Sequence, residues 1–270
     1  MKIAGIQISS SEDVERNISK ALRFIDHAAE SQARIICLPQ LFSLPWFLRE
    51  ENPDSMKLAG TAEDESMGRF REAAEKHKVV LVCPFFESRD GKHYSSALVI
   101  NPDGSTAGLY QKTHVPDIPD WREKFYFSPG ETGFVVIDTA YAKIGIQLCW
   151  DNFFPEGSRA LALQGAEIIF APTAAAYASQ EKWVHVIAAN AFVNNVFIFR
   201  VNRVGHDNGL DFYGDSFCAD PYGELIAHPV GMQESIVLAD ADLSMIPVVR
   251  EKSGFFRDRR TALYKGLLKK

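Results

Sequence analysis

Apolar residues recur along this chain in two rhythms. Over 2–8, Ile3, Gly5 and Gln7 alternate with Ala4, Ile6 and Ile8, the period-two pattern of a strand with two distinct faces. Next, Val14, Ile18, Leu22, Ile25 and Ala29 fall three and four apart, which gives a helix one apolar stripe. Ser10 or Ser11 is placed to cap that helix, with Glu12 and Asp13 in its first turn. The β-rich run 34–38, closed by Pro39, reads as a second strand. Strand, helix, strand in this order predicts a parallel pair covered by its connecting helix.

The same rhythms predict a helix over 67–77 and strands over 79–87, 95–100 and 106–111. Asn101-Pro102-Asp103-Gly104 between the last two is a hairpin turn. Strands at 133–139 and 142–148 lead to a helix at 155–164, a strand at 167–171 and a helix at 181–194. Strands at 196–202, 216–219, 225–227 and 236–240 and a short helix at 243–251 complete the series. Two stretches, 41–65 and 114–131, keep neither rhythm and carry prolines and aromatics. Long loops after strands belong more often to binding sites than to scaffolds. The halves echo each other, with no shift in composition between them. One domain over 1–270 follows, an α/β fold of two sheets packed face to face with helices outside, a four-layer α-β-β-α sandwich. A doubly wound single sheet is the alternative the pattern leaves open.

Composition narrows the function. The chain has 270 residues, 46% of them apolar, which allows a sizeable core. A formal net charge of -6, with no basic run before the last dozen residues, argues against a nucleic-acid partner. No segment is long and apolar enough for a membrane, and the N-terminal run is too short for a signal peptide. Cys37, Cys83, Cys149 and Cys218 lie far apart, without CxxC pairing or metal-ligand spacing. Reduced thiols in a cytoplasmic protein are expected, with no metal and no cofactor. His185 and His206 read as structural or surface residues. Arg200, Arg203 and Asp207 are candidates for a pocket wall or a subunit contact, which position does not decide. The aromatic, basic tail over 254–270 reads as solvated or facing a second subunit.

Candidate chemistry sits at three strand ends, after Pro39, Gln111 and Leu148. In layered α/β folds such ends gather at one rim, where ligands bind. Cys149 precedes a probable helix start, whose free N–H groups would lower a thiol pKa. It is either a nucleophile at a strand tip or a small buried hydrophobe. Lys112 is either a solvated edge charge or an ammonium beside the cysteine, placed to hold an oxyanion. The other three cysteines, in or beside β-rich runs, read as core.

Several segments share an order that is specific as a set: LPQLF at 38–42, YQKTHVPD at 110–117, EKFYFSPG at 123–130, QLCWDNFFPE at 147–156, VNRVG at 201–205 and GDSFCADPYGE from 214. Through them the chain resembles the nitrilase superfamily of carbon–nitrogen hydrolases over essentially its full length. The resemblance implies the α-β-β-α sandwich, usually as a homodimer, and a Glu–Lys–Cys triad with a second glutamate nearby. Cys149 matches the nucleophile, Lys112 the triad lysine and Glu123 the second glutamate. The triad glutamate belongs in the LPQLF segment, and there this chain has Gln40. Glutamine keeps the shape but cannot titrate, so it cannot be a general base. By the same resemblance the backbone N–H of Trp150 joins Lys112 as an oxyanion donor.

The stretch from Trp150 to Glu156 looks like that of N-carbamoylputrescine amidases. Trp150, Asp151 and Phe153 are its candidate substrate contacts. Basic residues that would grip a carboxylate are missing after the cysteine. A linear amide or carbamoyl small molecule, neutral or cationic at its far end, is therefore expected over an acidic one. Nitrile hydrolysis by the same triad, and a binding protein that has lost hydrolysis, remain the alternatives.

Overall fold

Strand alternation decides what each sheet buries. The computed structural model describes residues 1–176, 179–227 and 231–268. Its strands are β1 (Lys2–Gln7), β2 (Ile35–Cys37), β3 (Val80–Arg89), β4 (Lys92–Ile100), β5 (Thr106–Gln111), β6 (Ile137–Asp138) and β7 (Lys143–Ile146). They continue with β8 (Ile168–Thr173), β9 (Phe197–Asn202), β10 (Val204–Asp207), β11 (Leu210–Tyr213), β12 (Phe217–Ala219), β13 (Leu225–Ala227) and β14 (Ser235–Asp240). The helices are α1 (Val14–Glu30), α2 (Glu65–His77), α3 (Glu123–Tyr126), α4 (Pro155–Leu163), α5 (Gln180–Asn194) and α6 (Met245–Ser253).

One six-stranded sheet has the order β14-β1-β2-β3-β4-β5 and the other β13-β12-β9-β8-β7-β6. In each, a parallel trio (β1-β2-β3, β7-β8-β9) is flanked by antiparallel strands. Ile3, Ile35, Val80 and Val82 from the first sheet meet Ile144, Phe170, Phe197 and Phe199 from the second in one core. The alternate residues Ala4, Ile6, Ile36 and Leu81 face outward, under Ile18, Ile25 and Phe70 of α1 and α2. Ile169, Ala171 and Ile198 do the same under Leu161, Trp183 and Ile187 of α4 and α5. Helices, sheet, sheet, helices is the four-layer sandwich the sequence predicts, and the single-sheet alternative falls.

Four local expectations change. Asp13, not Ser10 or Ser11, caps α1: its side chain accepts the Arg16 N–H at 3.0 Å, while Ser11 bonds Asn17. The strand expected over 133–139 shrinks to Ile137–Asp138. The stretch 114–131 contains the helical turn α3, which carries Glu123. An extra hairpin, β10–β11, turns at Asn208-Gly209, both at positive φ. That pair is the two-residue turn signal, overlooked because the flanking strands are only four residues each. No helix among the described residues is long and apolar enough to cross a membrane.

The sheets approach most closely where β1 crosses β9. A Cβ at Gly5 would lie 2.8 Å from Val201 Cγ2 and 2.9 Å from a Phe199 ring carbon. Gly5→Val should therefore destabilise the fold by about 1–3 kcal/mol, the usual cost of overpacking a filled core. The midpoint of thermal unfolding measures this, and an unchanged midpoint would mean the layers can part there without loss.

Candidate active site

Three strand ends do converge. Cys149 follows β7 and opens a short 3-10 turn, Cys149–Phe153. Its φ is +45°, in the left-handed region that residues with a Cβ avoid. Such a conformation persists only where its surroundings impose it. Here the turn is clamped by buried polar bonds. Asn152 Nδ2 donates to the carbonyls of Gln147 at 3.0 Å and Cys149 at 2.9 Å, and Asn190 Nδ2 donates to the Asn152 carbonyl at 2.9 Å. The thiol itself is 5% exposed and reaches only the Ala174 carbonyl, at 3.9 Å.

Lys112, just past β5, is no edge charge. Its side chain has no solvent exposure, and Nζ donates to Glu123 Oε2 at 2.5 Å, with the carboxyl equally buried. Charges removed from water persist when paired and hydrogen-bonded. Burial works against the ammonium, but the Glu123 carboxylate and then the Cys149 sulfur outweigh it and hold the Lys112 pKa above its ordinary value. Burial raises the Glu123 carboxyl as well, and Lys112 offsets only part of that. A lysine pKa held up in this way keeps Lys112 as the ammonium of the pair. Gln40, just past β2, is fully buried and acts on the Glu123 carboxyl, while its Nε2 lies 3.3 Å from Ser95 Oγ. Glu123 Oε1 and Gln40 Oε1 are both buried without a hydrogen bond.

The lowered thiol pKa expected from sequence does not hold. Burial pushes the Cys149 thiol up; Lys112 pulls it back without cancelling the effect. The helix expected over 155–164 does begin at Pro155, as α4, and Cys149 lies ahead of it in the 3-10 turn rather than at its N-terminus. A thiol held protonated needs a base to become a nucleophile.

The thiol looks into a cavity of about 320 Å³. Trp150 and Phe153 line it, as expected of them, together with Pro116, Ile118, Trp121, Ala174–Ala176, Ser179, Lys182 and Trp183. Asp151 does not belong to this wall, which corrects its reading as a substrate contact. It is fully buried and its carboxylate accepts from Tyr110 Oη at 2.7 Å, the His114 N–H at 2.8 Å and the Leu148 N–H at 3.1 Å. It thus ties the lysine-bearing segment to the cysteine-bearing turn. Asn202 plays a similar part in the wall, accepting from the Ala175 N–H at 2.8 Å and donating to its carbonyl at 3.0 Å.

Of the undecided arginines, Arg203 turns from the pocket to a buried pair with Asp207 at 2.6 Å. Arg200 lies behind the pocket wall, 4.8 Å from the Trp183 ring. His185 is exposed, and His206 pairs with Asp211 at 2.7 Å on the surface. Sequence reading missed Pro116, Trp121, Trp183 and the roles of Asp151 and Asn202. The first two lie in an irregular stretch already marked as a binding loop. Trp183 sits on a helix, with no local signal of a pocket.

Comparison with known proteins gives a consistent picture. Residues 2–251 match the family described as carbon-nitrogen hydrolase. An N-carbamoylputrescine amidase from Arabidopsis thaliana is 38% identical over 98% of this chain and 94% of its own length. A carbon-nitrogen hydrolase from Helicobacter pylori G27 superimposes with a TM-score of 0.96 at 32% identity, covering 100% of this chain and 98% of the other. A glutamate-to-glutamine mutant of the amidase from Nesterenkonia sp. AN1 is 25% identical, with a TM-score of 0.85 over 99% of this chain and 100% of its own. It shows the result of Michael addition of acrylamide at its active-site cysteine.

Asp151→Ala should cost at least about 2 kcal/mol, since hydrogen bonds to a buried charge are among the stronger ones. It should also slow alkylation of Cys149 by a small haloacetamide. Thermal unfolding and labelling kinetics measure the two effects, and unchanged labelling would refute the tie between the two segments.

Proposed function

As the chain belongs to the carbon–nitrogen hydrolase family, we propose that it hydrolyses a linear amide or N-carbamoyl amine through a thioester on Cys149, with turnover limited by Gln40. One observation carries this reading: a buried ammonium–carboxylate pair acts on a buried thiol that opens into an apolar pocket. Neither surface ion pairing nor core packing calls for that arrangement.

For an amide, the thiol proton moves to Glu123 Oε1 as Sγ bonds to the carbonyl carbon. The oxyanion forms against the Lys112 ammonium and the Trp150 N–H, donors held by the fold before the reaction starts. The proton passes to nitrogen, the C–N bond breaks, and ammonia leaves a thioester. Water then gives a proton to Glu123 while its oxygen bonds to the carbon. The C–S bond breaks and sulfur recovers the proton. Amide and water become acid and ammonia.

Glu123 has to serve as the base because Gln40 cannot. It is a compromised one, since one of its oxygens is committed to Lys112. Loss of a well-placed base costs about 100- to 10,000-fold. The Nesterenkonia mutant supports a cysteine that still reacts where a glutamine has replaced a glutamate. The nitrile alternative uses the same groups and is separated by substrate, not by geometry. The tail, with Leu263 and Leu267 well exposed on its 3-10 turn, is proposed as a contact with a second copy.

Gln40→Glu should raise the rate of ammonia release by about 100-fold or more, to a level set by a true triad. Equal rates in the two chains would sink the claim that Gln40 limits turnover. Cys149→Ala should abolish release in both.

The pH profile gives a second test. A carboxyl raised above its ordinary value stays protonated to higher pH, so base catalysis by Glu123 is lost before pH falls to the usual carboxylate range. The acid limb of single-turnover acylation should therefore lie above about pH 4.5. It should vanish in Glu123→Gln. Persistence of the limb in that variant would remove Glu123 from the role.

A further inference from the structure

The pocket in front of Cys149 has a charge pattern that the substrate reading above does not use. The aromatic residues Trp121, Trp150, Phe153 and Trp183 line it. Among its described lining residues the charged one is Lys182, and no aspartate or glutamate is present. Asp117, beside Pro116 and Ile118, opens toward a neighbouring depression and is paired with Arg122 at 3.4 Å.

A second cation stands behind the wall. Arg200 is buried and its guanidinium lies 4.8 Å from the centre of the Trp183 ring. Its hydrogen bonds go to neutral oxygens: Tyr213 Oη at 2.8 Å and the carbonyls of Asp215 at 3.1 Å and Gly214 at 3.4 Å. Its charge is therefore not cancelled by a bonded carboxylate. A ligand cation against Trp183 would share that ring with the guanidinium. It would also meet Lys182; the Asp215 carboxylate acts on Arg200 from outside the pocket lining without a hydrogen bond to it. Aromatic faces alone attract cations, but two fixed positive groups against the same faces oppose that attraction.

We propose that this pocket selects amides or carbamoyl amines with a flat apolar tail, such as an arylalkyl group, and discriminates against tails ending in an ammonium. This rests on the amide-hydrolase reading and sharpens its substrate class. It departs from the neutral-or-cationic tail expected from the residues after the cysteine, because the deciding groups, Lys182 and Arg200, lie on α5 and β9, far from that stretch.

The test is binding to the Cys149→Ala chain of two probes of similar length, 3-phenylpropanamide and 5-aminopentanamide at pH 7. Quenching of the pocket tryptophans reports occupancy. The aryl amide should bind at least ten-fold more tightly. Lys182→Glu should narrow that ratio by about two- to five-fold, the size of effect an exposed charge exerts. Protection of Cys149 in the unsubstituted chain from alkylation by a haloacetamide should give the same order, independent of the alanine substitution. Equal affinity or preference for the ammonium probe overturns the inference, as does a ratio that Lys182→Glu leaves unmoved. Propanamide, which has no tail, separates the two levels. If it forms an adduct with Cys149 while the probes do not differ, the tail preference alone falls. If it forms none and Gln40→Glu releases no ammonia from it, the amide-hydrolase reading falls and takes the preference with it.

Discussion

The contact on which this structure depends is the buried ion pair between Lys112 and Glu123. Two charged groups without solvent exposure are held 2.5 Å apart. Neither would tolerate burial alone, since an isolated charge in a protein interior is several kcal/mol worse than in water. The pair therefore requires both its elements, the end of β5 and the helical turn α3, to be brought together. Replacing it with apolar side chains of similar size would often be neutral or stabilising. A fold that keeps such a pair next to a thiol is keeping it for its field.

Gln40 changes that field in a definite direction. With glutamate there, the site would hold two carboxylates against one ammonium. With glutamine, Glu123 and Lys112 balance, and Arg200 adds a positive charge nearby that acts on the same thiol. The site loses a proton acceptor and becomes more positive together. The first effect slows proton transfer. The second favours any anion that forms at the carbon under attack. On the proposed mechanism catalysis is the difference between these, and burial that raises the Cys149 thiol would make proton transfer the step that suffers.

Much of the layering was legible in the sequence because it rests on period alone. Ile3, Ile35 and Phe199 had to face one way and Ala4, Ile36 and Ile198 the other, whatever their neighbours. The family segments located Gln40, Lys112, Glu123 and Cys149, and the structure brings those four positions together. Side-chain direction in turns was not legible. Asp151 lies two residues past Cys149, and nothing local tells whether it faces the pocket or the chain behind. Its three hydrogen bonds come from Tyr110, His114 and Leu148, and two of those partners are more than thirty residues away. The thiol's environment was misjudged for the same reason. A helix start was visible, but burial by Ala174 and the second sheet was not, and burial dominates.

The same separation explains how one scaffold can keep its chemistry and change its substrate. Gln40, Lys112 and Cys149 follow strand ends, whose positions are fixed by register and by the core between the sheets. Moving any of them by one residue would turn it to the opposite face. The pocket wall comes partly from the cysteine-bearing turn, through Trp150 and Phe153, and otherwise from the loop after Lys112, the segment after β8 and the first turns of α5, which answer to no such register. Trp183 and Lys182 are neighbours on α5, yet one packs into the wall over Arg200 and the other reaches the opening. Lys182 is exposed and can be substituted without touching the core, whereas Trp183 packs in the same buried cluster as Cys149. Substrate class is thus set in part by elements that the catalytic geometry does not constrain.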